Sequence, residues 1–288
     1  FFFLFLLSYR TRSAANEAAR ILAGVRFALA AVYFWCGVQK LTPHFFYEEF
    51  PWFIEPVLEW LPFRVPGIPV AGMFAAVFEI LIGIGLLTTR FRTIALIEAL
   101  LMHSLIFMCI GPLRDGWNNS AWIWNLAVCL QVVVAFAKAP AFSWSAMFDA
   151  PRAHCVPQAL AVVFLGVLPV LNNLNCWDSA LSFNVYTGNV DYAEIHMAPE
   201  AVGSLPNEIA RFVELEEGRA ALKLNAWALS EFQANPYPET RIFRAIHAKV
   251  CAQLTAWSAE LLVREKAGWH GPKRIDRYDC PRRTEDAR

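Results

Sequence analysis

The chain has 288 residues, 57% of them hydrophobic and only 17% charged, with a mean hydropathy of +0.38. That is too apolar for an ordinary water-soluble domain of this length. The formal net charge is zero and no basic, aromatic-interleaved groove runs along the chain, which argues against a nucleic-acid partner and for membrane lipids.

In chain order, "FFFLFLL" at the start is too short to span a bilayer and lacks the charged leader and cleavage site of a signal peptide. It reads as the tail of a preceding span, with residues 1–20 completing a linker. Five apolar segments follow: 21–41, 66–89, 92–111, 121–138 and the shorter 156–172. Each approaches the ~20 residues a helix needs to cross roughly 30 Å of hydrocarbon. The expected fold is therefore a mainly α integral membrane protein, a four- to five-helix transmembrane bundle over 21–172. Between the first two spans, 42–65 mixes aromatics, prolines and acids, as short helical pieces at an interface do. "DGWNNSAWIW" (115–124) reads as a second aromatic belt, and Trp117 is a candidate lining residue there.

Arg10, Arg12, Arg20, Arg90, Arg92, Lys138 and Arg152 fall on one side of these spans, against Arg64 and Arg114 on the other. The positive-inside bias then places the N-terminal linker in the cytoplasm and the segment after the fifth span outside, as in a bacterial inner membrane. Sixteen acids and fourteen of the 25 Lys and Arg lie beyond residue 172, so 173–288 reads as a small water-exposed α+β domain. Within it, 180–198 reads as a hairpin turning at Gly188-Asn189. "PNEIARFV" and "GRAALKLNAWALSEFQA" read as helices, 238–254 is the strongest helix, and a second hairpin is expected around Gly271-Pro272. Cys176, Cys251 and Cys280 allow one disulfide there, with the pairing open. No Cys-x-x-Cys marks a disulfide-exchange centre.

Charged side chains in hydrocarbon cost a few kcal/mol on insertion scales, so each needs a partner or a task. The candidates are Arg26, Lys40, Glu79, Glu98 and His103, joined by Asn125. Lys40 sits at the outer end of its helix, and at about 1.5 Å per residue His103 lies about 12 Å down from the outer end of its span. Glu79, Glu98 and Arg26 fall nearer the middle. An ionic layer of Arg26 with the two glutamates and a Lys40–His103 pair in the outer half are therefore expected. Glu98 and His103 are about 140° apart around one helix, and neither Glu-x-x-His nor His-x-x-x-His spacing occurs, so no metal is expected.

At "YFWCGVQKLTPHF" and "FEILIGIGLLTTRFRTIALIEALLMHSLIFMCIG" the chain resembles the DoxX/MauE group of membrane proteins and the related HTTM domain of vitamin K-dependent carboxylases. The shared features are a first span ending in Gly-x-x-Lys-Leu, a Glu- and Gly-rich span closing with Thr-x-Arg, and a span with a mid-helix histidine. The resemblance covers residues 20–138 and implies a four-helix core with quinone-linked or thiol-linked redox associations. It implies that Lys40 stands at a catalytic lysine, with Gln39 replacing the lysine before it, and that His103 assists. Two functions stay open. One is an accessory or assembly subunit of a membrane redox complex, with Lys40 snorkelling to the headgroups. The other is a quinone-binding oxidoreductase or carboxylase-like enzyme. In that case Lys40 and His103 are catalytic, and Glu79, Glu98, Arg26, Trp117 and Asn125 form the pocket of the implied quinone cofactor.

Overall fold

The computed structural model describes residues 14–111, 119–149, 155–216, 218–254, 258–266 and 274–281. The N-terminal "FFFLFLL", Arg10, Arg12, Arg114, Trp117, Arg152 and the Gly271-Pro272 turn lie outside the described residues. The chain divides into two compact units, Phe1–Asn189 and Val190–Arg288.

The first unit is a helical bundle. Helix α1 (Ala14–Gln39) is followed by a π-helical turn, Phe45–Glu49, and by α2 (Phe50–Leu58). Then come α3 (Ile68–Leu87), α4 (Arg92–Ile110), α5 (Asn119–Phe136) and the single turn α6 (Trp144–Met147). The last span starts as α7 (Val156–Ala161), widens into a π-helical stretch (Val162–Val167) and tightens into a 3-10 stretch (Leu168–Leu174). Among the described residues four helical stretches are long and apolar enough to cross a membrane: Ala18–Gln39, Ile68–Leu87, Arg92–Ile110 and Val156–Leu174. Ser120–Phe136 is a shorter apolar helix beside them.

These helices are apolar outward and small or polar inward. On α3 the positions Gly72, Ala76, Glu79, Gly83 and Leu86 are buried, at alternating spacings of four and three. Phe74, Phe78 and Leu81 on the same helix are exposed. On α4 the buried stripe is Ala95, Ala99 and His103, while Ile97, Leu101 and Leu105 are exposed. Lipid rewards outward apolar surface as well as a core does, so the contacts between helices fall to small residues that let backbones approach. Helix α1 is the shared centre. One side packs with α6, α7 and the π-helical stretch through Ala23, Phe27, Met147, Ala161 and Leu165. The other packs with α3, α4 and α5 through Leu29, Tyr33, Ile82, Ala99 and Val132.

Two glycines set the α1–α3 contact. A Cβ on Gly37 would stand 2.6 Å from the Ala76 carbonyl oxygen and 2.7 Å from the Ile80 nitrogen. One on Gly83 would stand 2.6 Å from the Phe34 nitrogen and 2.7 Å from the Ala30 oxygen. The obstacles are backbone atoms, which cannot swing aside as a side chain can. Only glycine permits this approach at either site.

The second unit is a five-stranded antiparallel sheet, β1 (Tyr192–Met197), β2 (Val213–Glu216), β3 (Arg219–Lys223), β4 (Ala259–Arg264) and β5 (Ile275–Asp279), in the order β2-β3-β1-β4-β5. The helical turn α8 (Asn207–Ala210), α9 (Leu224–Phe232) and α10 (Thr240–Gln253) complete it. Ala193, Ile195 and Met197 face a core with Leu222, Leu261, Val263, Phe243 and Val250.

Three local expectations are corrected. Gly188-Asn189 does not turn a hairpin; β1 starts at Tyr192 and pairs with β3 and β4 instead. The Asn184 side chain donates to the Asn189 carbonyl at 2.8 Å, and the Asn189 amide donates to the Thr187 hydroxyl at 3.1 Å. Those bonds wrap 184–189 into a loop, since short polar side chains compete with a ladder for the backbone. "PNEIARFV" is helical only over Asn207–Ala210, and "GRAALK" is strand before α9 begins. There Gly218, at φ 81°, supplies the left-handed corner between β2 and β3. By contrast α10 falls where 238–254 placed it, and β4 and β5 pair antiparallel as the second hairpin requires.

Candidate functional site in the membrane bundle

Three groups of hydrogen-bonded polar side chains join the helices of the bundle. The first joins α1, α4 and α5. Asn125 donates through Nδ2 to the Ala121 carbonyl at 2.8 Å, which leaves its Oδ1 as the acceptor for His103 Nδ1 at 2.7 Å. With Nδ1 carrying the hydrogen, Nε2 accepts from the Tyr33 hydroxyl at 2.6 Å. All three side chains are buried. The backbone carbonyl at one end therefore sets the orientation of every member.

The second group joins the end of α1 to α3. The Lys40 ammonium donates to Glu79 Oε2 at 2.7 Å, and only 12% and 9% of the two side chains remain exposed. This contact follows from the glycine packing: Gly37 brings α1 onto Ala76 and Ile80, and Lys40 stands one turn beyond it, level with Glu79. The Lys40 ammonium also lies 6.0 Å from the centre of the Phe45 ring. Gln39, only 2% exposed, reaches the other way. Its Nε2 donates to the Pro169 carbonyl at 3.0 Å and its Oε1 accepts from Asn172 Nδ2 at 2.9 Å. Ser179 extends the chain by donating to Asn172 Oδ1 at 3.1 Å. The adjacent residues of "GVQKL" thus tie α1 to two different neighbours.

The third group sits at the opposite end of α5. Arg26 Nε donates to the Ala135 carbonyl at 2.7 Å and Arg92 Nη1 to the Ala139 carbonyl at 2.6 Å. The last carbonyls of a helix lack intrahelical donors, and the Arg26 guanidinium satisfies that of Ala135 and matches the negative end of the helix dipole, while Ala139 lies in the segment after α5.

The expected pairings are therefore rearranged. Glu79 pairs with Lys40 and not with Arg26, Arg26 serves a helix end, and half-buried Glu98 bonds to no described residue. His103 takes Tyr33 and Asn125 as partners, so Lys40 and His103 are not bonded to each other. Trp117 lies outside the described residues. Sequence reasoning passed over Tyr33, read as an apolar-run aromatic; its signal was a hydroxyl deep in a span, which needs a partner.

Among the described residues one set of side chains could hold a metal: His247, Cys251 and Cys280 of the α/β unit, whose ligand atoms all lie within 4.8 Å of one another. The two cysteines are joined as a disulfide, with Cα atoms 5.7 Å apart. The far face of β1 carries Tyr192, Glu194 and His196. Glu194 accepts from Lys223 at 2.7 Å, Tyr192 at 3.0 Å and His196 at 3.2 Å. Burial by itself pushes the Glu194 carboxyl up, but these three donors together hold it below the usual carboxylate range. Burial and the neighbouring Glu194 push the Tyr192 hydroxyl up to about 12. Lys223, bonded also to Glu216 at 2.6 Å, is desolvated, yet its acidic partners raise it above the ordinary lysine value.

Long apolar helices followed by a mixed α/β unit define an integral membrane protein. The chain has no significant match among protein-family models, curated proteins or solved structures.

Proposed function

We propose that the protein is a membrane-anchored accessory or assembly subunit of a larger membrane redox complex. One observation carries this reading: the ionisable side chains Lys40, Glu79, His103, Arg26 and Arg92 are each hydrogen-bonded within the bundle. Tyr33, His103 and Asn125 end on a backbone carbonyl, Arg26 ends on the last turn of α5, Arg92 on the Ala139 carbonyl beyond it, and Lys40 on Glu79. A catalytic base needs an open valence toward its substrate, whereas a scaffold needs its polar groups satisfied. The resemblance of "GVQKL" and its neighbouring spans to DoxX/MauE-type segments supports the redox association. The cation bias of the loops supports an orientation with the α/β unit outside, free to dock.

A second reading, a bound quinone, is favoured by two buried donors beside the Gln39–Asn172 chain. Asn173 Nδ2 and Trp177 Nε1 have no hydrogen-bond partner among the described residues. A quinone carbonyl is an acceptor of the kind they lack, and Lys40 and His103 would then handle protons.

Purification in mild detergent followed by mass spectrometry of proteins and extracted lipids separates the two. The accessory reading expects a stoichiometric redox partner and no quinone held by this chain. It also expects Lys40→Ala to lower the amount of assembled complex. A protein isolated alone with one quinone, lost on Lys40→Ala or His103→Ala, refutes it.

A further inference from the structure

The disulfide of the α/β unit has a third member that a simple staple does not require. His247 and Cys251 are four apart on α10 and share a face, and Cys280 follows directly on β5. His247 is 2% exposed and Cys251 8%. The His247 Nε2 stands 3.3 Å from Cys251 Sγ and 4.0 Å from Cys280 Sγ. The backbone of Ala259 meets both Cys280 and His247. Its amide donates to Cys280 Sγ at 3.2 Å, and its carbonyl accepts from His247 Nε2 at 3.1 Å, a bond this nitrogen exchanges for a metal ion when it becomes a ligand.

We infer that Cys251, Cys280 and His247 form a redox-gated zinc site: an ion-free disulfide when oxidised, and a three-ligand Zn²⁺ site when reduced. Geometry carries the inference. With Zn–N and Zn–S bonds of about 2.05 and 2.3 Å, tetrahedral angles put the ligand nitrogen about 3.5 Å from each sulfur and the sulfurs about 3.8 Å apart. The two nitrogen–sulfur distances already bracket the first figure. Only the sulfur–sulfur separation must open, and breaking that bond opens it. Cys280 follows β5 and packs at the edge of the core that holds Cys251, so the opening is a local movement at that edge. An amide donating to a metal thiolate is the usual supporting contact for such a ligand. Three protein ligands leave the fourth position to water.

The interconversion balances with a small disulfide as oxidant. The zinc dithiolate plus one reagent disulfide and two protons gives the protein disulfide, free Zn²⁺ and two reagent thiols. Each protein sulfur gives up one electron, and the reagent's sulfur–sulfur bond takes both. In the reverse direction a dithiol reduces the protein disulfide, and zinc displaces the two thiol protons.

The test uses the full chain in detergent, reduced and then equilibrated with Zn²⁺ alone. After gel filtration, one zinc per chain is expected by atomic emission. In the Cys176→Ser chain, which lacks the exposed free thiol, a small aromatic disulfide should release that zinc with two reagent thiols per ion. Cys280→Ser should abolish retention, His247→Ala should weaken it at least tenfold, and Cys176→Ser should leave it unchanged. Amide exchange across β1 and β4 monitors folding of each sample. The inference is overturned if the reduced wild type holds no zinc. It is equally overturned if Cys280→Ser and His247→Ala hold as much as wild type, or if reduction removes protection from β1 and β4.

Discussion

The Lys40–Glu79 pair permits a quantitative test of whether Lys40 is locked into the bundle or reaches for the headgroups. At 2.7 Å and an effective dielectric of ~20, the gross attraction is about 6 kcal/mol. Desolvating the two ions costs several kcal/mol each, so the net worth of the intact pair against two apolar residues is small. Removing one partner is different, because it strands a charge among buried neighbours. Lys40→Met or Glu79→Met should each cost about 3 kcal/mol, the low end for a buried pair, since both side chains keep some exposure. The double substitution should cost under about 1 kcal/mol, giving a coupling of several kcal/mol between the sites. Reversible unfolding in mixed micelles of rising SDS content, read by circular dichroism, supplies all four corners of the cycle. Additive effects, with a coupling within about 0.5 kcal/mol of zero, would show that Lys40 is a free snorkelling anchor and refute the lock.

Gly37→Val should destabilise the bundle by at least about 1–3 kcal/mol through overpacking against the backbone of α3, and should also erase the Lys40–Glu79 coupling. Gly203→Ala, where an added Cβ meets nothing within 4 Å, is the matched near-neutral control in the same assay. Asn125→Leu strands the His103 Nδ1 hydrogen in the bundle and should cost about 1–3 kcal/mol by SDS titration; Asn125→Gln, which keeps an amide acceptor, should cost less. In the α/β unit, Glu194 is held below its ordinary value, so the unfolded chain binds more protons in acid. Its stabilisation is complete above about pH 4.3 and disappears as pH falls through the lowered folded value. Lys223 is raised, so its contribution is complete below about pH 10.4 and lost only at more alkaline pH. Amide-exchange protection of β1 and β3 should therefore be level between these limits and fall in acid, and Glu194→Gln should flatten the acid limb.

Membrane character, the positions of the spans and the presence of a separate α/β portion were all legible in the chain, because each is a sum over many residues. Twenty apolar positions in a row outweigh any single side chain, and the acids and bases beyond residue 172 change the local composition for a hundred residues. Helix α10 was legible for the same reason, its apolar spacing repeating over four turns. Its neighbour "GRAALK" was not: a five-residue strand has too few positions for its alternation to stand out from a helix, and its partner β1 lies more than twenty residues away. The polar residues of the bundle show the same divide. That Lys40, Glu79, His103, Asn125 and Arg26 need partners follows from residue type and depth alone. Which partner each takes depends on rotation and approach of the helices, and rise per residue gives depth but not facing. The approach was settled by Gly37 and Gly83, where a missing Cβ lets α1 and α3 touch backbone to backbone and delivers Lys40 to Glu79 rather than to His103. The union of Cys251 with Cys280, and of both with His247, likewise arose only when antiparallel pairing of β4 and β5 carried residue 280 back to α10. Contacts between residues far apart in the chain are properties of the closed structure, and no local pattern encodes them.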